Sequence, residues 1–187
     1  LNGKHYALDP SMTIIADDNA AHDLGGIMGG AHSGVSDATT DVLIECAYFD
    51  PDHIALTGQK LALTSDARSR FERGVDPAFL DDGLAIATRL VLELCGGTPS
   101  EVTRAGTPPL GTRSYEYSPA LAETLGGLAV APERQREILS SLGFEVTDDW
   151  QVTPPSWRRD IDGPADLVEE VIRIEGIDRV APVALPR

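Results

Sequence analysis

Four acidic side chains near the C-terminus have the types and spacing to hold a hard metal ion. Asp160, Asp166, Glu169 and Glu170 lie within residues 155–176, PSWRRDIDGPADLVEEVIRIEG. Oxygen-only ligand sets suit Mg²⁺ or Ca²⁺ rather than zinc. The element that must position them is a helix. Pro164 fits its first position, where a missing N–H costs nothing, and Gly163 its N-cap. Leu167, Val168, Val171, Ile172 and Ile174 then fall on one apolar stripe, with Asp166, Glu169, Glu170 and Arg173 opposite. Asp160 precedes the helix and can fold back towards its first turn. The four carboxylates could thus converge at a helix end that favours negative charge. The competing reading is plainer: acids in a first turn complement the helix dipole and face water. Spacing alone leaves both open.

A second carboxylate stands out by isolation. Glu45 lies inside DVLIECAYF, residues 41–49, an apolar run that predicts a strand. An edge-strand acid facing water is its plain alternative, since buried acids are rare unless paired. Upstream, the four glycines between Gly25 and Gly30 require a sharp turn or a close backbone approach. No phosphate loop or dinucleotide fingerprint accompanies them. Arg68, Arg70 and Arg73 could touch RNA, but salt bridges to Asp66, Glu72 and Asp76 explain them equally well. Trp157 could stack on a base; burial beside the last helix is the expected alternative.

Composition narrows the classes. The 187 residues carry 30 Asp and Glu against 15 Lys and Arg, a formal charge of −15. A free-standing nucleic-acid binder would show a basic face, so this stretch alone should hold RNA weakly. With 42% apolar residues the chain can build a real core. Cys46 and Cys95 show neither metal nor disulfide spacing and read as buried thiols in a reducing cytosol. There is no signal peptide and no bilayer-length apolar run. Starting at Leu1, the sequence reads as a fragment.

Along the chain, Asn2-Gly3 signals a hairpin and residues 12–16 a buried strand. Asp50 caps a helix from Pro51 to about Leu61. Residues 64–74 read as a polar loop or helix start. Residues 77–95 form the clearest helix, with Leu80, Leu84, Ala87, Val91 and Leu94 at helical spacing and Gly96-Gly97 stopping it. Residues 96–112 contain an interdomain connection, with a final strand at 101–104. Beyond it come a short strand at 113–117, helices at 119–125 and 132–142, and a hairpin around Asp148-Asp149.

The words of the last stretch add to this reading. Trp157-Arg158-x-Asp160, then Asp166-Leu-Val-Glu-Glu-Val, then Arg173-Ile-x-Gly176 resemble the β subunit of bacterial phenylalanyl-tRNA synthetase. So do GGIMGGAHSGV at 25–35, VLIECAYF at 42–49 and SDARSRFERGVDP at 65–77. The resemblance covers nearly the whole chain. It implies an α+β fold: a partial editing-type α/β domain at 1–108, then a small helix-turn-helix-like α+β domain at 109–187.

It implies Mg²⁺ ligands at Asp160, Asp166, Glu169 and Glu170, in a site shared with an α subunit. Glu175 replaces the family's usual tyrosine beside them. It implies an editing pocket using Gly29, Glu45, Ser65 and Ala67, with Ser65 in place of the usual threonine. That pocket would hydrolyse tyrosine misattached to the phenylalanine tRNA. A carboxylate placed to accept from the tyrosine hydroxyl would be left unpaired by phenylalanine, a mismatch worth about 10⁴ in discrimination. No nucleophile–base pair is evident, so water would attack the ester directly.

The family's pocket also uses a histidine from a segment before Leu1, which His5, His22, His32 and His53 do not match; His32 reads as structural. The isolated chain is therefore expected to edit poorly. The whole cytoplasmic enzyme, two α and two β subunits, would attach phenylalanine to tRNA using ATP. No residue of this stretch would catalyse aminoacylation, and neither DNA nor membrane is an expected partner. The rival readings are a free-standing trans-editing hydrolase and a non-catalytic nucleic-acid or protein interaction module.

Overall fold

The structure, a computed structural model, describes residues 2–183. It has mixed helices and small sheets, an α+β architecture, in two compact units, Leu1–Pro109 and Leu110–Arg187.

The first unit opens on an antiparallel pair, β1 (Ile14–Ala16) and β2 (Ala21–Leu24), with Ile14 opposite Leu24. Asp17 shapes the connection: its Oδ1 accepts from the N–H groups of Asn19 and Ala20, both at 2.8 Å. Helix α1 (Pro51–Lys60) starts where Asp50 caps the His53 N–H at 3.0 Å. Helix α2 (Asp66–Phe71) forms within the segment left open as loop or helix start. A 3₁₀ turn at Pro77–Phe79 leads into α3 (Leu80–Cys95), closed by Gly96 at φ +74°. The core is small: Leu24, Ile27, Ile54 and Leu63 are buried, with Phe49 and Phe71 packed on them.

Several expectations fail here. Residues 41–49 form no strand among the described residues, and Leu43 is 95% exposed. An apolar extended segment needs a neighbouring ladder to become a strand, and none pairs with it. Helix α3 has its apolar stripe but no buried residue, and Ile86, Leu90 and Leu94 remain exposed. Neither the hairpin at Asn2-Gly3 nor the strand at 101–104 forms. Cys46 and Cys95 are exposed, not buried, because they belong to this uncovered segment and this uncovered helix.

The second unit contains β3 (Tyr115–Glu116), α4 (Leu121–Thr124), α5 (Pro132–Ser141), β4 (Glu145–Val146), β5 (Gln151–Thr153) and α6 (Pro164–Glu175). Its antiparallel sheet runs β3-β5-β4, with Val152 opposite both Tyr115 and Val146. Gly143, at φ +89°, ends α5 and turns the chain into β4. The expected stripe of α6 supplies much of the core: Leu167, Val168, Val171 and Ile172 are buried against Tyr117, Ile138, Leu139 and Val152. Ile174, at the end of that stripe, is 40% exposed. No helix among the described residues is long and apolar enough to cross a membrane.

Candidate functional site

In the first unit the glycine-rich turn is the organising feature. The N–H groups of Ile27 and Met28 both donate to the Leu24 carbonyl, and Gly26 sits at φ +67°. Asp23 Oδ1 clamps the far side, accepting from the Gly30 N–H at 2.6 Å and the Ser33 hydroxyl at 2.5 Å. Burial pushes the Asp23 carboxyl up, but these two donors outweigh it and hold it below the usual range. Beside the turn lies a cavity of about 320 Å³, lined by Gly29 together with His5, Tyr6, His22, Asp23 and Met28.

Of the pocket residues expected from sequence, Gly29 alone lines that cavity. Ser65 is tied to the same turn from behind: its hydroxyl donates to the Ile27 carbonyl at 2.6 Å and accepts from the Arg68 N–H at 3.0 Å. Ala67 is exposed in the first turn of α2. Glu45 is also exposed, on the unpaired segment. Partial burial and then the charge of Asp23 hold its carboxyl above the ordinary range. Glu45 thus feels the acid that clamps the turn, but the structure does not bring it into the cavity wall with Gly29.

Sequence reasoning missed a chain of polar groups that meets the cavity at His22. His22 Nδ1 and His32 Nε2 are 2.9 Å apart, and His22 Nε2 lies 3.2 Å from Asp17 Oδ2. The β1–β2 turn joins Asp17 to His22, and the glycine turn returns His32 to them. No linear spacing rule connects these three, so no signal could have found the chain. His32, read as structural, is a member of it.

In the second unit the four acids of the 155–176 stretch do not converge. Asp166 Oδ2 accepts from the N–H groups of Asp162 and Gly163, at 2.7 and 2.9 Å, and closes the start of α6. Glu169 is exposed. Glu170 is buried, its side chain 8% exposed, and its Oε2 meets Arg158 at 3.1 Å and Arg173 at 2.6 Å. Arg158 also grips both oxygens of Asp160, at 2.8 and 2.6 Å. That guanidinium holds the Asp160 carboxyl below the usual range. Burial pushes Glu170 up, but the Arg158 and Arg173 bonds outweigh it and leave it lowered.

Among the described residues no three His, Cys, Asp or Glu side chains form a group able to hold a metal ion. As placed, the acids do not fit one. The expectation of convergence missed that the arginine two residues before Asp160 would stand between Asp160 and Glu170.

Trp157 is also not where sequence suggested. It is 62% exposed, because the α6 stripe already fills the core. It packs over Gly143 at the edge of a cleft of about 490 Å³ with Arg113, Glu145 and Pro155. Arg113 fixes this segment by donating to the carbonyls of Arg158 and Ile161, each at 2.9 Å.

Comparison with known proteins bears on both units. A B3/4 domain model matches residues 1–96, and a tRNA synthetase B5 domain model matches residues 115–177. A protein of Novosphingobium aromaticivorans named phenylalanine–tRNA ligase beta subunit is 63% identical over all 187 residues. Proteins of the same name from Zymomonas mobilis and Paramagnetospirillum magneticum are 52% and 51% identical over the whole chain. This chain belongs to the phenylalanine–tRNA ligase β-subunit family. It spans 24% of the length of these three relatives. The cavity at Gly29, and Glu45 with it, fall in the B3/4 region; the Arg158 ion pairs fall in the B5 region.

Proposed function

We propose that this stretch is the proofreading and subunit-contact part of a phenylalanine–tRNA ligase β subunit, within a cytoplasmic enzyme that attaches phenylalanine to tRNA using ATP. Residues 1–108 would belong to the editing domain and 109–187 to a small domain facing an α subunit, in an assembly of two α and two β chains. The observation that carries the reading is identity of up to 63% to β subunits across both units at once.

The editing role assigned to residues 1–108 is hydrolysis of Tyr-tRNA(Phe). Gly29, without a side chain, leaves room at the cavity for an aminoacyl group. Ser65 uses its one proton on Ile27 and one lone pair on Arg68. It keeps a single lone pair, so it could accept from an ammonium group or a water but could not donate to an ester carbonyl. Glu45 is the specificity element: once the bound aminoacyl end covers it from water, its ionised carboxylate accepts from a tyrosine hydroxyl and has nothing to accept from phenylalanine. Its neighbour Asp23 makes an unpaired negative charge there costlier, which favours occupants that donate a hydrogen bond. Ala67 would border the pocket.

A divalent ion, Mg²⁺ by the oxygen-only set, is assigned to Asp160, Asp166, Glu169 and Glu170, with the set completed by the α subunit. The arrangement of these acids in this chain by itself does not suit it, and no chemical step is routed through the ion.

The test is deacylation of Tyr-tRNA(Phe) by the full-length β subunit in its α/β complex. Glu45→Ala should slow Tyr-tRNA hydrolysis and narrow the preference over Phe-tRNA. An unchanged rate with unchanged preference would remove Glu45 from the site.

A further inference from the structure

The ion pairs before α6 disagree with the metal set that their spacing suggests, and the disagreement has a structural cause. Of the eight carboxylate oxygens, five have donors: both of Asp160, both of Glu170 and one of Asp166. A hard divalent cation needs about six oxygens around it, and Mg²⁺ accepts little departure from octahedral geometry. The Arg158 guanidinium fills the space between Asp160 and Glu170, only 20% exposed, and it also lies over the Phe144 ring at 5.6 Å. Its charge would repel an incoming cation in a poorly hydrated setting.

We propose that Arg158 is the resident cation of this site, and that its ion pairs with Asp160 and Glu170 exclude a divalent metal until Arg158 is withdrawn. The inference rests on the metal reading above and adds its regulation. Metal loading and the Arg158 ion pairs are then mutually exclusive states. Arg173 stays on Glu170 in either, so the buried carboxylate is never left unpaired.

The test is a Mn²⁺ titration of the full-length β subunit without α, with free Mn²⁺ followed by electron paramagnetic resonance. The wild-type chain should show no saturable binding. Arg158→Met should bind Mn²⁺ saturably, because a like charge is gone and two carboxylates are released. Adding Glu170→Gln to that variant should abolish the gain. Arg158→Lys, which keeps the charge, should stay metal-free. In the wild-type chain the Arg158 side-chain NH resonance should not move on adding Mg²⁺, a measurement that needs no variant to fold. Equal binding by wild type and Arg158→Met, whether strong or absent, would overturn the inference, as would a Mg²⁺-dependent shift of that resonance. The metal reading is judged separately, in the α/β complex. Loss of bound metal in Asp160→Asn keeps it standing, and retention there defeats it.

Discussion

Ser65 and Ile27, 38 positions apart, are joined by a 2.6 Å hydrogen bond from the serine hydroxyl to the backbone carbonyl. The same hydroxyl caps α2 through the Arg68 N–H. One oxygen therefore couples the start of a helix to the glycine turn that carries Gly29. Ser65→Ala should lower stability by about 1–2 kcal/mol, through a lost cap and an unpaired carbonyl. Ser65→Thr should restore most of it. Urea denaturation of the three proteins checks this; an Ala variant as stable as wild type would mean that the coupling carries no weight.

Gly30 is a tight backbone position in that turn. A Cβ there would stand 2.0 Å from the His22 carbonyl oxygen, a backbone atom that cannot swing aside. Gly30→Ala should destabilise the first unit by about 3 kcal/mol, and by separating the turn from β2 it should break the Asp23 clamp. Loss of the low-field Gly30 amide resonance, together with an earlier melt, is the expected result. A variant melting at the wild-type temperature would show that the turn is looser than drawn.

In the second unit, Tyr117 donates to Gln135 Oε1 at 2.6 Å, and Gln135 Nε2 donates to the carbonyls of Pro119 and Val130. Gln135 is fully buried. Gln135→Ala would leave the Tyr117 hydroxyl and the Val130 carbonyl without this partner, while the Pro119 carbonyl keeps the Ala122 N–H, and should cost about 3 kcal/mol. Tyr117→Phe leaves one orphan and should cost about 1–2 kcal/mol. Denaturant midpoints of the two variants give the order, and a milder effect for Gln135→Ala would contradict this network.

Burial pushes the Tyr117 hydroxyl up to about 12, against an ordinary value of 10.0. The folded form holds its proton more tightly than the unfolded form. This contribution is fully present below pH 10 and is lost as pH rises towards 12. Across that window stability should fall by about 1.4 kcal/mol per pH unit, less any compensating charge effects. Tyr117→Phe should flatten the alkaline limb of the stability profile. An equally steep limb in the variant would assign the transition to other groups.

Both thiols should titrate in the native chain with a neutral disulfide reagent, since Cys46 and Cys95 are exposed. Cys46 should react more slowly than an unstructured cysteine. Burial, and then the charges of Asp81 and Glu45, hold its thiol above the ordinary range and thin the thiolate that reacts. Protection of both thiols until denaturant is added would show that the segment at 41–49 and the face of α3 are covered in solution.

The sequence by itself determined the features that depend on neighbours a few residues away. Asp50-Pro51 starts α1, Gly96 ends α3, and Pro164 with its apolar stripe defines α6 and the face it buries. Caps, proline positions and helical spacing act over one or two turns, so they can be read without coordinates. The resemblance that located Gly29, Glu45, Ser65 and the four acids was likewise carried by local words. Tertiary structure alone decided which groups meet. It set Arg158 between Asp160 and Glu170, left residues 41–49 without a ladder, kept Trp157 outside a core that α6 had already filled, and linked Asp17, His22 and His32. Each of these outcomes depends on partners far along the chain, and a side chain's charge or apolarity does not name the partner that will satisfy it.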